Sequence, residues 1–332
     1  MSGLAALRGR SARIGDDMST EPALPDLPGR PILVTGMPRS GTTWVGRVLC
    51  AGNGAGYLNE PFNRATSPGT MRVPVDDWFP HVTDQNEAEI LAGLAPLLRF
   101  EYPLVRELRR CRAYVDLVHT LRWWRGYLRG KGRRPLVKEP HAVFSAEWFA
   151  RRLGSDVVVT VRHPAAVVSS WKRLEWDFDF ANLLAQPTLL RDILGPCRRD
   201  MERALEPSHD LVDRVALLWH VVYRTVAGYR ERFLEFHIVR QEDLSKEPAE
   251  GYRALYEALG LPLTQEAEEA IAAASSTANP KETRVDKPHE TQLDSRANLT
   301  SWKRRLSDDE LERIHNATAE TAALFYADDE WH

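Results

Sequence analysis

The chain has 332 residues, 43% of them hydrophobic and 27% charged, with a net charge of −3. That is ample material for a core, and the slightly acidic balance argues against a nucleic-acid binder, which carries a broad basic face. No apolar run approaches the roughly 20 residues that cross a bilayer, and three cysteines without paired or metal-ligand spacing suggest neither a disulfide framework nor a metal centre. A cytoplasmic, metal-free protein is expected.

Residues 1–28 are small, polar and proline-dotted, and read as a disordered lead, with Met18 as an alternative start. Residues 29–332 read as one domain, because no linker, repeat or low-complexity tract divides them. The first strand, 31–35, runs into Gly36-Met37-Pro38-Arg39-Ser40-Gly41-Thr42-Thr43-Trp44. The two glycines stand where a P-loop has its own, so the backbone N–H groups of this turn and of the helix after it suit an anion. Thr42 and Thr43 occupy the positions of the P-loop lysine and its hydroxyl partner, which removes the apparatus for a γ-phosphate and magnesium. Arg39, inside the turn, offers a fixed charge and a fork of donors instead.

A second strand, 56–58, breaks at Glu60-Pro61 and leaves a carboxylate at a strand's C-terminal edge, where open α/β sheets bind ligands. The segment Arg122–Arg134 interleaves Trp123, Trp124 and Tyr127 with six basic side chains; it suits either an acidic glycan or a solvated helix end. A third strand, 135–138, leads to Lys138-Glu139-Pro140-His141. A fourth, 157–161, leads to Arg162, with Ser170 two helical turns further on and able to face the same way. Glu175–Phe180, reading EWDFDF, is either an acceptor wall or packing. Apolar residues from Leu211 to Phe233 recur at helical spacing, and a fifth strand follows at 236–239. Tyr252–Leu259 form a shorter helical stripe, and Ser307 with Glu310 has capping-box spacing for a final helix. Strands and helices that alternate in this way give an α/β class: a single P-loop-like three-layer domain, its central, mainly parallel sheet flanked by helices.

These residues resemble the PAPS-dependent sulfotransferases. Their 5′-phosphosulfate loop is similar to Pro38–Trp44, and their 3′-phosphate motif, arginine then serine eight residues later, to Arg162 and Ser170. Asn298–Leu306, with Arg296 upstream, resembles the family's C-terminal tryptophan-lysine segment, and Ile238–Asp243 a strand-to-acidic-turn segment. Arg39 in the loop, Glu60 after the second strand and Lys138 in a lysine-acid-proline turn look closest to the carbohydrate and tyrosylprotein branch. The resemblance implies a donor, PAPS, that leaves as PAP. Pro38, Arg39, Ser40, Gly41, Thr42, Thr43 and Trp44 would hold its 5′ end, and Arg162, Ser170 and Arg296 its 3′-phosphate, with Thr300, Trp302 and Lys303 closing over it. Glu60 would be the general base, Arg39 and Lys138 would stabilise charge, and His141 stands as an alternative base. The acceptor would be a small molecule or glycan, a carbohydrate hydroxyl being favoured over a phenol, tyrosine, lipid or natural-product hydroxyl. An ATP-dependent small-molecule kinase and a noncatalytic PAP-binding protein are the competing readings. The sequence leaves the oligomeric state open.

Overall fold

The computed structural model describes residues 24–66, 71, 75–233, 235–281 and 294–331. The expectation for most of the N-terminal lead, Met18 included, therefore lies outside the described residues. Five strands form one parallel sheet: β1 (Ile32–Gly36), β2 (Ala55–Asn59), β3 (Arg134–Lys138), β4 (Asp156–Val161) and β5 (His237–Arg240), in the order β2-β3-β1-β4-β5. The strands expected from sequence match these within one or two residues at each end.

The crossovers carry helices α1 (Thr42–Leu49), α2 (Glu87–Leu98), α3 (Leu104–Arg110), α4 (Tyr114–Gly130), α5 (Ala146–Leu153) and α6 (Pro164–Leu174). Between β4 and β5 come the short α7 (Ala181–Leu184), α8 (Pro187–Leu189) and α9 (Arg198–Arg203), then the 22-residue α10 (Leu211–Arg232). After β5 follow α11 (Gln241–Lys246), α12 (Pro248–Ala258), α13 (Gln265–Ser275) and α14 (Asp308–Ala322).

Side chains on a strand alternate between faces, so each central strand feeds two cores. Ile32, Val34, Leu136 and Val158 pack against α1, α12 and α13. Leu33, Val137, Val157 and Val159 join the larger core, built with α2, α5, α6, α10 and α14. The stripe on α10 is buried at Val215, Leu218, Trp219, Val222, Val226 and Tyr229, as its spacing implies. The Ser307–Glu310 capping box also forms, with the Glu310 N–H donating to Ser307 Oγ at 3.2 Å and Glu310 Oε2 accepting from the Ser307 N–H at 2.9 Å.

One buried polar residue has no hydrogen-bonded partner for its ring. His163, just past β4, stacks on Trp302 with ring centres 5.2 Å apart and meets Tyr326 and Trp331 edge-on at 5.1 and 4.5 Å. Both of its ring nitrogens are buried without a hydrogen-bond partner. Burial, which penalises the imidazolium, pushes its pKa down to about 3. The unfolded chain therefore takes up a proton here near pH 6.5 while the folded chain does not, and stability falls as the pH drops through that interval. Between pH 7 and pH 5 this group should cost about 2 kcal/mol. Urea unfolding at the two pH values should show that loss in the wild type and a much smaller one in His163→Phe; equal losses would show that other groups set the acid limb.

Candidate active site

In an open parallel sheet, ligands bind beyond the strands' C-terminal ends, near the point where the strand order reverses. Here that edge carries the turn after β1, Glu60 after β2, Lys138 and His141 after β3, Arg162 after β4 and Gln241 after β5. A cavity of 760 Å³ lies over it, within the range that holds a nucleotide-sized ligand.

The turn is clamped to β4. Gly36 has φ 136°, and a Cβ there would stand 2.4 Å from the Thr160 carbonyl oxygen, so no other residue fits. Ser40 Oγ donates to the Met37 carbonyl at 2.6 Å and lies 2.6 Å from Thr160 Oγ1. The Tyr223 hydroxyl donates to the Thr160 carbonyl at 3.0 Å and accepts from the Met37 N–H at 3.4 Å. Trp171 Nε1 donates to the Pro38 carbonyl at 3.0 Å. Gly41, with φ 101°, then turns the chain into α1, whose first-turn N–H groups, at Thr42, Thr43 and Trp44, have no acceptor inside the helix. Pro38, Gly41, Thr42, Thr43 and Trp44 line the cavity. Ser40 is not among the lining residues; its hydroxyl faces inward and serves the clamp.

Arg39, held at φ 77°, sends its Nε to Ser170 Oγ at 3.1 Å, and its carbonyl accepts from Arg162 Nη1 at 3.1 Å. Two motifs more than a hundred residues apart in sequence thus meet directly. Arg173 and Arg305 line the same wall, and Arg305 Nη1 donates to Ser169 Oγ at 3.3 Å. Burial, then the charges of Arg162 and Arg173, push the Arg39 guanidinium down to about 10. Arg162 is also lowered, by burial first and with Arg305 adding to it, while Glu242 partly offsets this, and its Nε is buried without a partner. Crowded cations with an unspent donor suit a multiply charged anion.

Across the turn, Lys138 Nζ is ion-paired with Glu60 Oε1, and Asn63 Nδ2 donates to Glu60 Oε2 at 2.5 Å. Glu60 has φ 46°, a conformation rare outside glycine and doubly so before proline. It is held by its own N–H donating to the Lys138 carbonyl at 2.8 Å. Burial pushes the Glu60 carboxyl upward, but the Lys138 charge and hydrogen bond, with Asn63, hold it below the ordinary range. Burial also lowers Lys138, against the pull of Glu60.

His141 reaches the same cavity, its ring centre 4.8 Å from Trp78 and 5.2 Å from Phe79. Its Nδ1 lies 2.9 Å from Glu139 Oε1, while Glu139 Oε2 accepts from the Phe62 N–H at 2.6 Å. Glu139 is thus fully engaged in orienting the ring. Trp176, Asp177, Phe178 and Asp179 from the EWDFDF segment form the facing wall, while Phe180 is core.

The C-terminal segment differs from expectation. Arg296, Thr300, Trp302 and Lys303 are not among the cavity's lining residues. Arg296 turns outward and donates to the Lys246 carbonyl at 3.1 and 2.6 Å. Trp302 is buried under His163, Lys303 covers the Trp302 ring at 5.4 Å, and Thr300 is exposed. Ser295, Asn298 and Arg305 face the cavity instead. Sequence reasoning missed these, together with Arg173, although Arg173 carries a signal: it lies three residues after Ser170, on the same helical face.

A glycine-bounded turn at the C-terminal edge of a parallel sheet, leading into a helix, defines a P-loop-like α/β domain. A family model described as the sulfotransferase family matches residues 31–265, and the chain belongs to that family, enzymes of sulfuryl transfer. No curated protein matches the chain. Similar solved structures include the sulfotransferase domain from the curacin biosynthetic pathway, at 14% identity and a TM-score of 0.48, covering 92% of this chain and 99% of that one. Sulfotransferase STF9 from Mycobacterium avium is 16% identical with a TM-score of 0.43, covering 89% and 76%. Mouse sulfotransferase SULT7A1, complexed with PAP, is 11% identical with a TM-score of 0.39, covering 92% and 88%. Among the described residues, no helix is long and apolar enough to cross a membrane and no cluster of side chains has a metal-binding arrangement.

The clamp yields a direct test. Ser40→Ala removes the hydroxyl link between the turn and β4 and should lower stability by about 1–2 kcal/mol, read as a shift in the urea midpoint; an unchanged midpoint would show that the turn is held by its backbone alone.

Proposed function

We propose that the enzyme transfers the sulfuryl group of PAPS to an acceptor hydroxyl, a carbohydrate hydroxyl above all, and releases PAP, without a metal ion. The observation that carries this reading is the convergence of Arg39, Arg162, Arg173 and Arg305 beside Ser170 and the turn. Like charges so close favour an anion between them, and two separated anion sites, one at the helix N-terminus and one at the guanidiniums, match a donor phosphorylated at both ends.

The residues fit that donor. The N–H groups of Thr42, Thr43 and Trp44 would take the 5′-phosphosulfate, and Arg162, Ser170, Arg173 and Arg305 the 3′-phosphate, with Arg39 between them. Bound there, the donor supplies an activated sulfuryl group, whose transfer, like phosphoryl transfer, depends on positioning and charge. Glu60 would accept the acceptor's proton. Its pairing with Lys138 makes it a weak base at rest. When Lys138 turns its ammonium towards charge growing at the reacting centre, Glu60 loses its cation and gains basicity at that moment.

The aromatic wall of Trp78, Phe79, Trp176 and Phe178, with the side-chain amides of Asn63 and Asn182, supports a carbohydrate: rings for the sugar's C–H face, amides for its hydroxyls. The missing P-loop lysine weighs against ATP as donor. A cytoplasmic setting belongs to the same proposal, with the three cysteines free of disulfides.

Calorimetric titration tests the donor. PAP should bind tightly, Arg162→Ala should weaken it by at least tenfold, and ATP with Mg²⁺ should bind far less well; ATP binding with no response to PAP would sink the reading.

The base has a second candidate, His141, which lines the cavity and has one ring nitrogen held by Glu139. Glu60→Gln should cut kcat by about 100-fold or more and leave PAP affinity within a few-fold. The acid limb of kcat/KM should lie below the usual glutamate range, since the Glu60 carboxyl is held down; an acid limb that survives Glu60→Gln and disappears in His141→Asn would move the role to the histidine.

A further inference from the structure

A second cavity, of 970 Å³, opens on the far side of the Glu60–Lys138 pair, and Thr43 and Glu60 line both cavities. Its walls are α1, β2 and one face of α4. They carry Arg47, Arg122, Arg125, Arg129 and Arg133, with Lys138 at the inner end. Glu60 is the only carboxylate among the described lining residues, and Lys138 already neutralises it. Arg122, Arg125 and Arg129 have no carboxylate partner among the described residues, and Arg133 donates to Asn53 Oδ1 at 2.9 Å, a neutral group. This concentration of cations stands out in a chain with a net charge of −3.

From these observations we infer that the acceptor is an anionic saccharide chain, uronate-bearing or already sulfated, which lies along this groove and presents one hydroxyl to Glu60. The inference rests on the sulfuryl-transfer reading and adds the acceptor's charge and direction of approach. Arg122 and Arg129 are seven residues apart on α4, about 10 Å along the helix, so the groove offers charge in a line, as a chain with several anionic groups requires and a single phosphate does not. Trp123, 42% exposed, sits among these guanidiniums and provides a face for a sugar ring to stack on. Gly126 has no atom within 4 Å of where a Cβ would stand, so the groove floor is open between the cations.

The test titrates the full chain, with saturating PAP, with a sulfated heparin-derived octasaccharide and, in parallel, with maltooctaose, octaglutamate and single-stranded dT8. The sulfated octasaccharide should bind best and weaken severalfold between about 0.05 and 0.2 M salt, as expected for exposed charges. Arg122→Glu/Arg125→Glu/Arg129→Glu should weaken it at least tenfold while PAP affinity stays unchanged, which also reports folding. Single Arg→Gln changes at the same positions should each weaken it about threefold, and serve if the triple variant misfolds. Octasaccharide affinity unmoved by these changes, or matched by maltooctaose, overturns the inference; tighter binding of octaglutamate or dT8 overturns it in favour of a different polyanion. Failure of the donor reading would show separately, as absence of PAP binding in the wild type.

Discussion

The seam between β1 and β4 is the constraint on which the site depends. Gly36 meets the Thr160 carbonyl where no side chain fits, Ser40 reaches the Thr160 hydroxyl, and Tyr223 bridges Thr160 to Met37 from the far side of the sheet. These contacts hold the turn at one height above β4. Only at that height does the Arg39 carbonyl meet Arg162, and the Arg39 side chain Ser170, so a tight backbone contact in the core decides where the charges converge. α10 contributes as more than packing. Its Trp219 Nε1 donates to the Arg162 carbonyl at 2.9 Å, and Tyr223 lies one turn further along, so the longest helix fixes both strands of the seam.

Two electrostatic arrangements then sit side by side with opposite logic. Around Arg39 the guanidiniums crowd, and burial with like charge lowers them, an arrangement completed by adding an anion. Around Glu60 the charges are already balanced by Lys138. Strain marks both: Arg39 at φ 77° and Glu60 at φ 46° hold conformations that cost of order 1–3 kcal/mol each and persist because neighbours over-determine them. Arg39 is held through Arg162 and Ser170, Glu60 through Lys138 and Asn63.

Much of this was legible in the sequence because it is written in local patterns. Short apolar runs mark all five strands, the 3.6-residue stripe marks α10, and the eight-residue step from Arg162 to Ser170 places both on the cavity wall. What failed was long-range or conformational. Nothing local shows that the Ser40 hydroxyl turns in to β4, since that depends on Thr160, 120 residues away. Arg296 and Arg305 flank a single irregular segment, and the choice between them is made by the Lys246 carbonyl, which captures Arg296 on the outside. The basic run Arg122–Arg134 reads from sequence rather as a solvated helix end, and only the packing of α4 beside β2 makes it the wall of a cavity.

The Glu60–Lys138 pair gains its meaning from standing between the two cavities. A carboxylate and an ammonium that neutralise each other form a closed gate with no net charge to attract either ligand. On the proposed reading, an anion in the arginine-lined cavity and an anion in the groove along α4 would both favour the Lys138 ammonium over the Glu60 carboxylate, because both bring negative charge towards the pair. In the proposed reaction each ligand alone would weaken the pair in part, and the two together would weaken it most. With Glu60 as the proposed base, the positions of these charges would make it strongest when donor and acceptor are both in place.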